Sequence, residues 1–236
     1  MRRKGWWGPK ALALAVLLAA MGCSPSDMSS PEQDKPSADE PSADGKNPGG
    51  EGRLPGLPTA VKARQQLDEL EVAAHRSMSG YSRERFPHWS AQGDSCDTRE
   101  KVLARSGTDV ERDEECRAVS GRWTSLYDGK KVGDASELDI DHMVPLANAW
   151  RSGADKWPQK KREAFANDLT HPQLLAVTAS TNRTKGDQGP EEWQPPVKAT
   201  WCVYARAWTS VKATYQLTVT RAEKNELDEM LATCGR

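Results

Sequence analysis

The chain has 236 residues, and its 33 lysines and arginines against 34 aspartates and glutamates give a formal net charge of −1. Six of the basic and seven of the acidic residues precede Arg53, so the rest of the chain is formally neutral. This balance excludes a protein that binds nucleic acid through a general excess of positive charge, and any positive patch must be local. The part after residue 52 is long enough to bury a sizeable core as one domain.

The N-terminus has the pattern of an export signal. Basic residues at positions 2–4 precede an apolar stretch at 11–21, which ends in Gly22 and Cys23. Because this stretch is too short to span a bilayer permanently, we expect residues 1–22 to be a signal peptide. Residues 18–23 also resemble a bacterial lipobox, which predicts lipidation of Cys23 and an outward-facing anchor in the outer leaflet of the membrane. Simple secretion is the alternative.

Residues 23–52 are expected to form a disordered tether. From Ser24 onward they contain no aromatic or β-branched residue, repeat Pro-Ser-Ala-Asp at Pro36 and Pro41, and carry a net charge of −5. Such a composition cannot bury enough apolar surface to offset the chain entropy lost on folding. We therefore predict that residues 53–236 form the folded domain.

Helical patterns are frequent in this domain. Pro158 should start one helix, which carries Phe165 and ends near Asn167. Thr59 should cap an earlier helix, whose apolar face is formed by four residues: Val61, Leu67, Leu70 and Ala74.

Two C-terminal helices are predicted to form an antiparallel hairpin. The first is indicated by aromatic and apolar residues at helical spacing: Trp201, Tyr204, Trp208, Val211 and Tyr215. The second begins at a capping box formed by Thr220 and Glu223. Cys202 lies near the start of the first helix and Cys234 near the end of the second. Both arms run about 20 Å, so the hairpin brings these two cysteines together at its open end.

The exported part of the chain contains four cysteines, and an even number outside the cell favours disulfides. No Cys-x-x-Cys pair is present, which argues against a zinc knuckle. Of the three possible pairings, the hairpin favours Cys202 with Cys234 and leaves Cys96 with Cys116. Each bridge should contribute roughly 2–4 kcal/mol, mainly by constraining the unfolded chain.

The chemistry is predicted to lie in the sequence Leu-Asp-Ile-Asp-His-Met-Val-Pro at residues 138–145. Its polar and apolar alternation suits a short half-buried strand, and Pro145 cannot donate to a β-ladder, so the strand must end nearby. Neighbouring residues on an ideal strand point to opposite faces. Asp141 and His142 can therefore share a site only where the pleat breaks down, and Pro145 favours such a break.

A second polar cluster, at residues 181–187, follows an apolar run at 174–177. We interpret the run as a strand and the cluster as the start of a helix. The two segments then place Asp141 and His142 on one strand and Asn182 on a helix that follows another. This order, with Asp-His-x-x-Pro followed by Asn-x-x-Lys, resembles the ββα-metal (His-Me finger, HNH) nucleases.

The resemblance is closer to a small secreted His-x-x-Pro family, typified by the C-terminal domain of modification-dependent restriction enzymes. It extends over roughly residues 81–234 and includes four further segments: Cys96-Asp97-Thr98-Arg99, Gly121-Arg122-Trp123, residues 146–150 and Phe165-Ala166-Asn167-Asp168. It implies an α+β fold in which a minimal ββα-metal core is wrapped by helices. The C-terminal helical hairpin and two disulfides complete the expected fold.

The resemblance also implies roles for individual residues in a metal-dependent endonuclease. His142 would be the general base that takes a proton from the attacking water, and an ordinary histidine pKa of about 6.5 suits that task. Asp141 and Asn182 would hold one divalent ion, Mg²⁺ or Mn²⁺, through oxygen atoms. Three basic residues are candidates to neutralise the phosphates of a nucleic acid, with DNA favoured over RNA: Arg183, Lys185 and Arg99. No protein partner is implied, and we expect a monomer.

One departure from the HNH pattern concerns the residue that orients the histidine. Related nucleases carry an Asn at the start of the second strand, where this chain has Gln173. Either the Gln173 amide or a backbone carbonyl would have to orient His142. The missing Asn and the neutral charge favour an alternative function, in which a non-catalytic surface lipoprotein uses the same fold as a binding or envelope-interaction module.

Each site residue also has a purely structural interpretation. Asn182 could cap its helix, and Arg183 and Lys185 could form a solvated face. The tryptophans that could stack on bases are interpreted as core residues: Trp89, Trp123, Trp150, Trp157 and Trp193. The other histidines are left out of the site: His75, His88 and His171.

Overall fold

Seven α-helices and five β-strands are distributed along residues 53–235, the part of the chain that the computed structural model describes. The helices are α1 (Ala60–Glu69), α2 (Thr98–Ser106), α3 (Leu146–Arg151), α4 (Gln159–Ala166), α5 (Ala179–Lys185), α6 (Trp201–Tyr215) and α7 (Arg221–Leu231). The strands are β1 (Thr108–Arg112), β2 (Ala118–Thr124), β3 (Lys131–Val132), β4 (Leu138–His142) and β5 (Leu174–Thr178). The predicted α+β class is confirmed, whereas the predicted signal peptide, tether and lipidation site lie outside the described residues.

The strands form two separate antiparallel sheets. β4 pairs with β5 along its whole length, with Leu138 opposite Thr178 and His142 opposite Leu174. This is the predicted pair of strands, and α5 follows β5 directly, so a ββα unit is present. The sequence does not predict the second sheet, β1–β2–β3. Its first strand is mostly exposed and lacks the alternation that marks a half-buried strand.

The β4–β5 strand pair lies between two hydrophobic cores. On one face, Ile140 packs with α2 and β2. On the other face, Leu175 and Val177 join the larger core, to which α1, α3, α6 and α7 contribute. Because successive residues of a strand alternate between faces, Asp139 and Asp141 lie on the same side as Leu175 and Val177. The sheet therefore directs both carboxylates toward the helical side of the domain.

The first helix begins as predicted but buries a different face. Thr59 caps α1 through its side chain. Val61, however, is 64% exposed, and the helix ends before Ala74, which corrects the predicted apolar face. The buried positions are Ala63 and Leu67, which lie one turn apart and pack into the larger core.

The C-terminal hairpin and both disulfides are confirmed. α6 packs against α7, and the capping box of Thr220 and Glu223 begins the second helix. The disulfides join Cys202 to Cys234 and Cys96 to Cys116, as the hairpin geometry predicts. Between residues 53 and 235, no helix is both long enough and apolar enough to cross a membrane.

Candidate active site

The end of β4 and one side of α5 border a cleft of about 400 Å³. Four of the predicted site residues line it: Asp141 and His142 on β4, and Asn182 and Arg183 on α5. They meet because β4 pairs with β5 and α5 leaves directly from the end of β5. Asp141 and His142 reach the same cleft because both lie at the end of their strand, just before Pro145.

Gln173 holds the end of β4, where His142 lies. The N–H of Met143 donates to the Gln173 carbonyl at 2.6 Å, which extends the pairing past the last strand residue. The side-chain amide of Gln173 then accepts from the N–H of Val144 at 3.1 Å and donates to its carbonyl at 3.0 Å. Gln173 therefore acts as a strand partner just before Pro145, and its amide does not bond to the imidazole.

His142 is buried, and a backbone carbonyl fixes its tautomer. Nε2 lies 2.9 Å from the carbonyl oxygen of Ala166, the last residue of α4, which begins after Pro158 as predicted. Because a carbonyl can only accept, Nε2 carries the ring proton and Nδ1 keeps its lone pair. This carbonyl is one of those that a helix end leaves without an intrahelical donor. Of the two alternatives for orienting His142, the structure contains the backbone carbonyl.

Two aromatic rings complete the surroundings of His142. The indole of Trp89 stacks on the imidazole at 5.5 Å between ring centroids with an interplanar angle of 8°, and His88 contacts it edge-on at 6.0 Å. Burial lowers the pKa of His142 to about 3, and the hydrogen bond to Ala166 opposes this effect only partly. The imidazole is therefore neutral near pH 7, but it is a much weaker base than the ordinary pKa assumed from the sequence implies.

Asp141 is buried, and one of its carboxylate oxygens is already bound. Oδ2 accepts hydrogen bonds from the hydroxyl of Tyr127 at 2.5 Å and from the ammonium of Lys185 at 2.7 Å. Burial raises the pKa of the Asp141 carboxyl, and the positive charge of Lys185 opposes the rise. The other oxygen, Oδ1, accepts no hydrogen bond from residues 53–235 and is available to a ligand in the cleft.

The prediction that Lys185 neutralises a phosphate is corrected. Its side chain is fully buried, and Nζ donates to Asp141 and, at 2.9 Å, to the backbone carbonyl of His142. Burial lowers the pKa of this ammonium, whereas the charge of Asp141 opposes that change. Asn182 and Lys185 lie about one turn apart on α5, so the helix that brings Asn182 to the cleft also brings Lys185 to Asp141. Lys185 thus holds Asp141 in place from within the core.

Asn182 is oriented by Asp139. Its Nδ2 donates to Asp139 Oδ2 at 3.1 Å, from α5 to β4. Since the amide nitrogen is held, Oδ1 is the atom left for a ligand, and it forms no hydrogen bond with a described residue. Sequence analysis includes Asp139 in the motif at residues 138–145 but gives it no role in the site, although a signal exists: Asp139 and Asp141 are two residues apart on one strand and therefore share a face.

The other two predicted phosphate contacts differ in their surroundings. Arg183 is exposed, lines the cleft and forms no ion pair within residues 53–235. Arg99 does not line the cleft, and its Nη2 donates to the carbonyls of Ala135 and Leu138, both at 3.2 Å. Arg99 therefore braces the start of β4, and it is not placed to contact a phosphate in the cleft.

A divalent cation fits the donors that border the cleft. Asp141 and Asn182 each offer one uncommitted oxygen, the ligand type that Mg²⁺ prefers. In the described part of the chain, no group of three or more His, Cys, Asp and Glu residues could hold a metal ion. Mg²⁺ usually keeps several water and substrate ligands, so two protein oxygens suit it, whereas a zinc site needs at least three protein ligands.

Besides Asp139, sequence reasoning misses two further residues that shape the site. Tyr127 lies in the turn after β2, and nothing near it in the sequence marks it as a partner of Asp141. Trp89 is interpreted as core from its residue type, whereas it is half-buried and stacks on His142. The segment around Trp89 forms no helix or strand, so tertiary packing alone sets its position.

Comparison with known proteins identifies the family. Residues 97–230, which include Asp141, His142 and Asn182, match the family described as GmrSD restriction endonucleases, C-terminal domain. A protein of Arthroderma benhamiae, described as an uncharacterized secreted protein, is 52% identical over 180 residues, which cover 76% of this chain and 88% of that protein. No solved structure matches the chain significantly. The chain therefore belongs to the family of GmrSD restriction endonuclease C-terminal domains.

Proposed function

We propose that this protein is an exported endonuclease that hydrolyses phosphodiester bonds, with DNA as the substrate and one divalent metal ion as the cofactor. The observation that carries the proposal is the convergence of Asp141, His142 and Asn182 on one cleft. Membership in a family of restriction endonuclease domains supports the same class of reaction. The family alone would be only an analogy, whereas the cleft supplies residues with specific roles.

His142 is the general base in this proposal. The Ala166 carbonyl holds Nε2–H, so Nδ1 is the basic atom and accepts a proton from the attacking water. Burial keeps the ring neutral before the reaction. Once protonated, the imidazolium still donates from Nε2 to the carbonyl, and this hydrogen bond strengthens as the positive charge forms.

Asp141 and Asn182 hold the metal ion, Mg²⁺ or Mn²⁺, through their free oxygens. When bound, the ion neutralises charge on the phosphate and stabilises the departing oxygen. Tyr127 and Lys185 hold the other oxygen of Asp141, and Asp139 holds the amide nitrogen of Asn182. Both ligands are therefore oriented before the ion binds, which limits the ordering that binding requires.

Export is supported by three observations. The N-terminal pattern of basic and apolar residues is that of a signal peptide, and the Arthroderma benhamiae relative is described as secreted. Two disulfides also fit an oxidising compartment. We propose that the domain leaves the cell and that Cys23, when lipidated, anchors it to the outer face of the membrane.

The ion pair of Lys185 with Asp141 favours a second candidate function. Lys185 neutralises part of the charge that Asp141 would offer a cation, which weakens the attraction of the cleft for a metal ion. If the Lys185–Asp141 ion pair prevents metal binding, the protein is a non-catalytic surface lipoprotein that uses the same fold as a binding or envelope-interaction module. The two candidates therefore differ in whether the cleft takes up a divalent ion and cuts nucleic acid.

A plasmid-nicking assay on the purified full chain tests the proposal. With Mg²⁺ or Mn²⁺, the wild-type protein should convert supercoiled plasmid to open-circular and linear forms, and EDTA should stop the reaction. His142→Ala should lower the rate by about 100-fold or more. His75→Ala, which removes an exposed histidine outside the cleft, should leave the rate unchanged.

Two outcomes would contradict this function. Full activity of His142→Ala would remove His142 from the reaction. No cutting by the wild-type protein with either metal would favour the non-catalytic module. A single-stranded RNA of the same base composition, tested in parallel, shows whether DNA is the preferred substrate.

A further inference from the structure

Two more clefts adjoin the active-site cleft and share residues with it. The second, of about 470 Å³, lies between β3 and the start of α5, and Arg183 lines both it and the active-site cleft. The third, of about 390 Å³, lies along β2 and β3, and Lys131 lines both it and the second cleft. The three clefts are therefore neighbours on the surface of the domain.

The second and third clefts are lined by more basic than acidic residues, although the domain is formally neutral. One acidic residue, Glu137, lines them, against five basic residues: Arg53, Arg122, Lys130, Lys131 and Arg183. The two clefts beside the Cys96–Cys116 disulfide have the opposite balance, with six carboxylates against three cations. Charge is therefore segregated in the described part of the domain, and the positive side adjoins the active-site cleft.

The cations nearest the active-site cleft are free to bind an anion. Arg183 and Lys131 are exposed, and neither forms an ion pair within residues 53–235. Lys130 lies 3.6 Å from Asp128, and Arg122 pairs with Asp109, but both basic side chains are largely exposed. The Arg122–Asp109 pair is exposed on both sides and contributes little energy, so an incoming phosphate can replace it at small cost. Asp128 is largely buried and keeps its hydrogen bonds from Thr178 and Thr181 when Lys130 turns toward a phosphate.

Two hydroxyl groups accompany these cations. Ser136 and Ser180 line the second cleft and are exposed. The hydroxyl of Ser180 makes no hydrogen bond to a described residue, whereas that of Ser136 bonds to Asp134. Cations and hydroxyls are the groups that bind the phosphates and sugars of a nucleic acid backbone without reading its bases. The phosphates of a nucleic acid strand form a row of spaced anions. Such a row fits clefts lined by several separate cations better than a single small anion does.

We propose that the second and third clefts form a phosphate track, defined by Arg183, Lys131, Lys130 and Arg122, along which the backbone of a DNA strand runs from the active-site cleft. This inference rests on the proposed function for its substrate and extends it to a surface outside the reaction site. Contacts to the backbone position the strand and carry no sequence preference. Because Arg183 lines both the track and the active-site cleft, a nucleic acid is favoured over an anionic membrane as the occupant.

The test is a binding measurement in EDTA, which separates binding from cutting. Fluorescence anisotropy of a labelled DNA duplex of about 20 base pairs, titrated with the full chain between about 50 and 200 mM KCl, gives the affinity and its salt dependence. The double variant Lys131→Gln/Arg183→Gln should weaken binding by about tenfold or more and reduce the slope of log K against log salt by about 2. The charge-matched control Lys156→Gln/Lys160→Gln removes two exposed lysines outside the track and should leave the slope unchanged.

Binding of the Lys131→Gln/Arg183→Gln variant equal to that of the control would overturn the track, provided both melt at the wild-type temperature. Vesicles that contain phosphatidylglycerol serve as the competing anionic surface. If the variant loses vesicle binding while DNA binding is unchanged, the surface contacts membranes and the proposal is wrong. If DNA binding depends on the track but the wild-type protein cuts no plasmid, the proposed catalytic function fails and the track stands.

Discussion

Replacing Lys185 by methionine is expected to lower the free energy of unfolding by about 3–5 kcal/mol. Methionine keeps much of the length and volume of the side chain but carries no charge. The Asp141 carboxylate would stay buried with the Tyr127 hydroxyl as its remaining hydrogen-bond donor among residues 53–235. The backbone carbonyl of His142 would also lose its hydrogen bond from the ammonium. Removal of one member of a buried ion pair is costly because the other charge is left uncompensated.

For a domain of this size, such a loss corresponds to a fall in Tm of about 6–20 °C. Thermal and urea unfolding followed by circular dichroism, both in EDTA, measure it. The double variant Asp141→Asn/Lys185→Met should recover much of the stability, since neither charge is then buried. Recovery in the double variant distinguishes loss of the ion pair from a general effect of the new side chain.

Lys160→Met is the matched control, because Lys160 is exposed on α4 and forms no ion pair with a described residue. Its effect should stay within about 0.5 kcal/mol. A cost below about 1 kcal/mol for Lys185→Met would refute the buried pair. A double variant as unstable as Lys185→Met alone would refute the electrostatic reason for the loss.

Two further predictions concern the acid stability of the domain and its second disulfide. Burial tends to raise the pKa of Asp128, but hydrogen bonds from the hydroxyls of Thr178 and Thr181, both at 2.7 Å, outweigh it and lower the pKa from 3.8 to about 2. The ionised Asp128 carboxylate therefore adds its full contribution to the free energy of unfolding above about pH 4, and this contribution is lost as the pH falls toward 2. Asp128→Asn should remove this pH-dependent contribution, which is about 1–2 kcal/mol. The measurement is the free energy of unfolding of the wild-type protein and of Asp128→Asn across this pH range. The same pH profile for both proteins would contradict this role of Asp128. Replacing Cys202 and Cys234 by serine opens a loop that spans 32 residues and should cost about 3–4 kcal/mol in urea unfolding. A smaller loss than about 1 kcal/mol would show that the bridge does not constrain the unfolded chain.

Local patterns predict the parts of the fold that depend on neighbours in the sequence. The capping box at Thr220 and Glu223 marks the start of α7 without reference to the rest of the chain. Helix length then places Cys202 beside Cys234, so the pairing of all four cysteines follows. The end of β4 is likewise predictable, because Pro145 cannot continue a ladder.

Contacts between distant segments are not predictable in the same way. The spacing Asn-x-x-Lys places Lys185 one turn from Asn182 but does not say which side of the helix meets the core. Lysine is rarely buried unless it is paired, and its partner Asp141 lies 44 residues away on another element. The carbonyl of Ala166 could come from any residue type, so no side-chain motif announces that it orients His142.

Anomalous diffraction from crystals soaked in Mn²⁺ would locate the ion that the cleft is proposed to hold. We expect one peak in the active-site cleft, bonded to Asp141 Oδ1 and Asn182 Oδ1 at about 2 Å, with the remaining positions taken by water. A saturated crystal with no peak between these two oxygens, or with Mn²⁺ bound only elsewhere on the domain, would contradict the proposed metal-dependent nuclease.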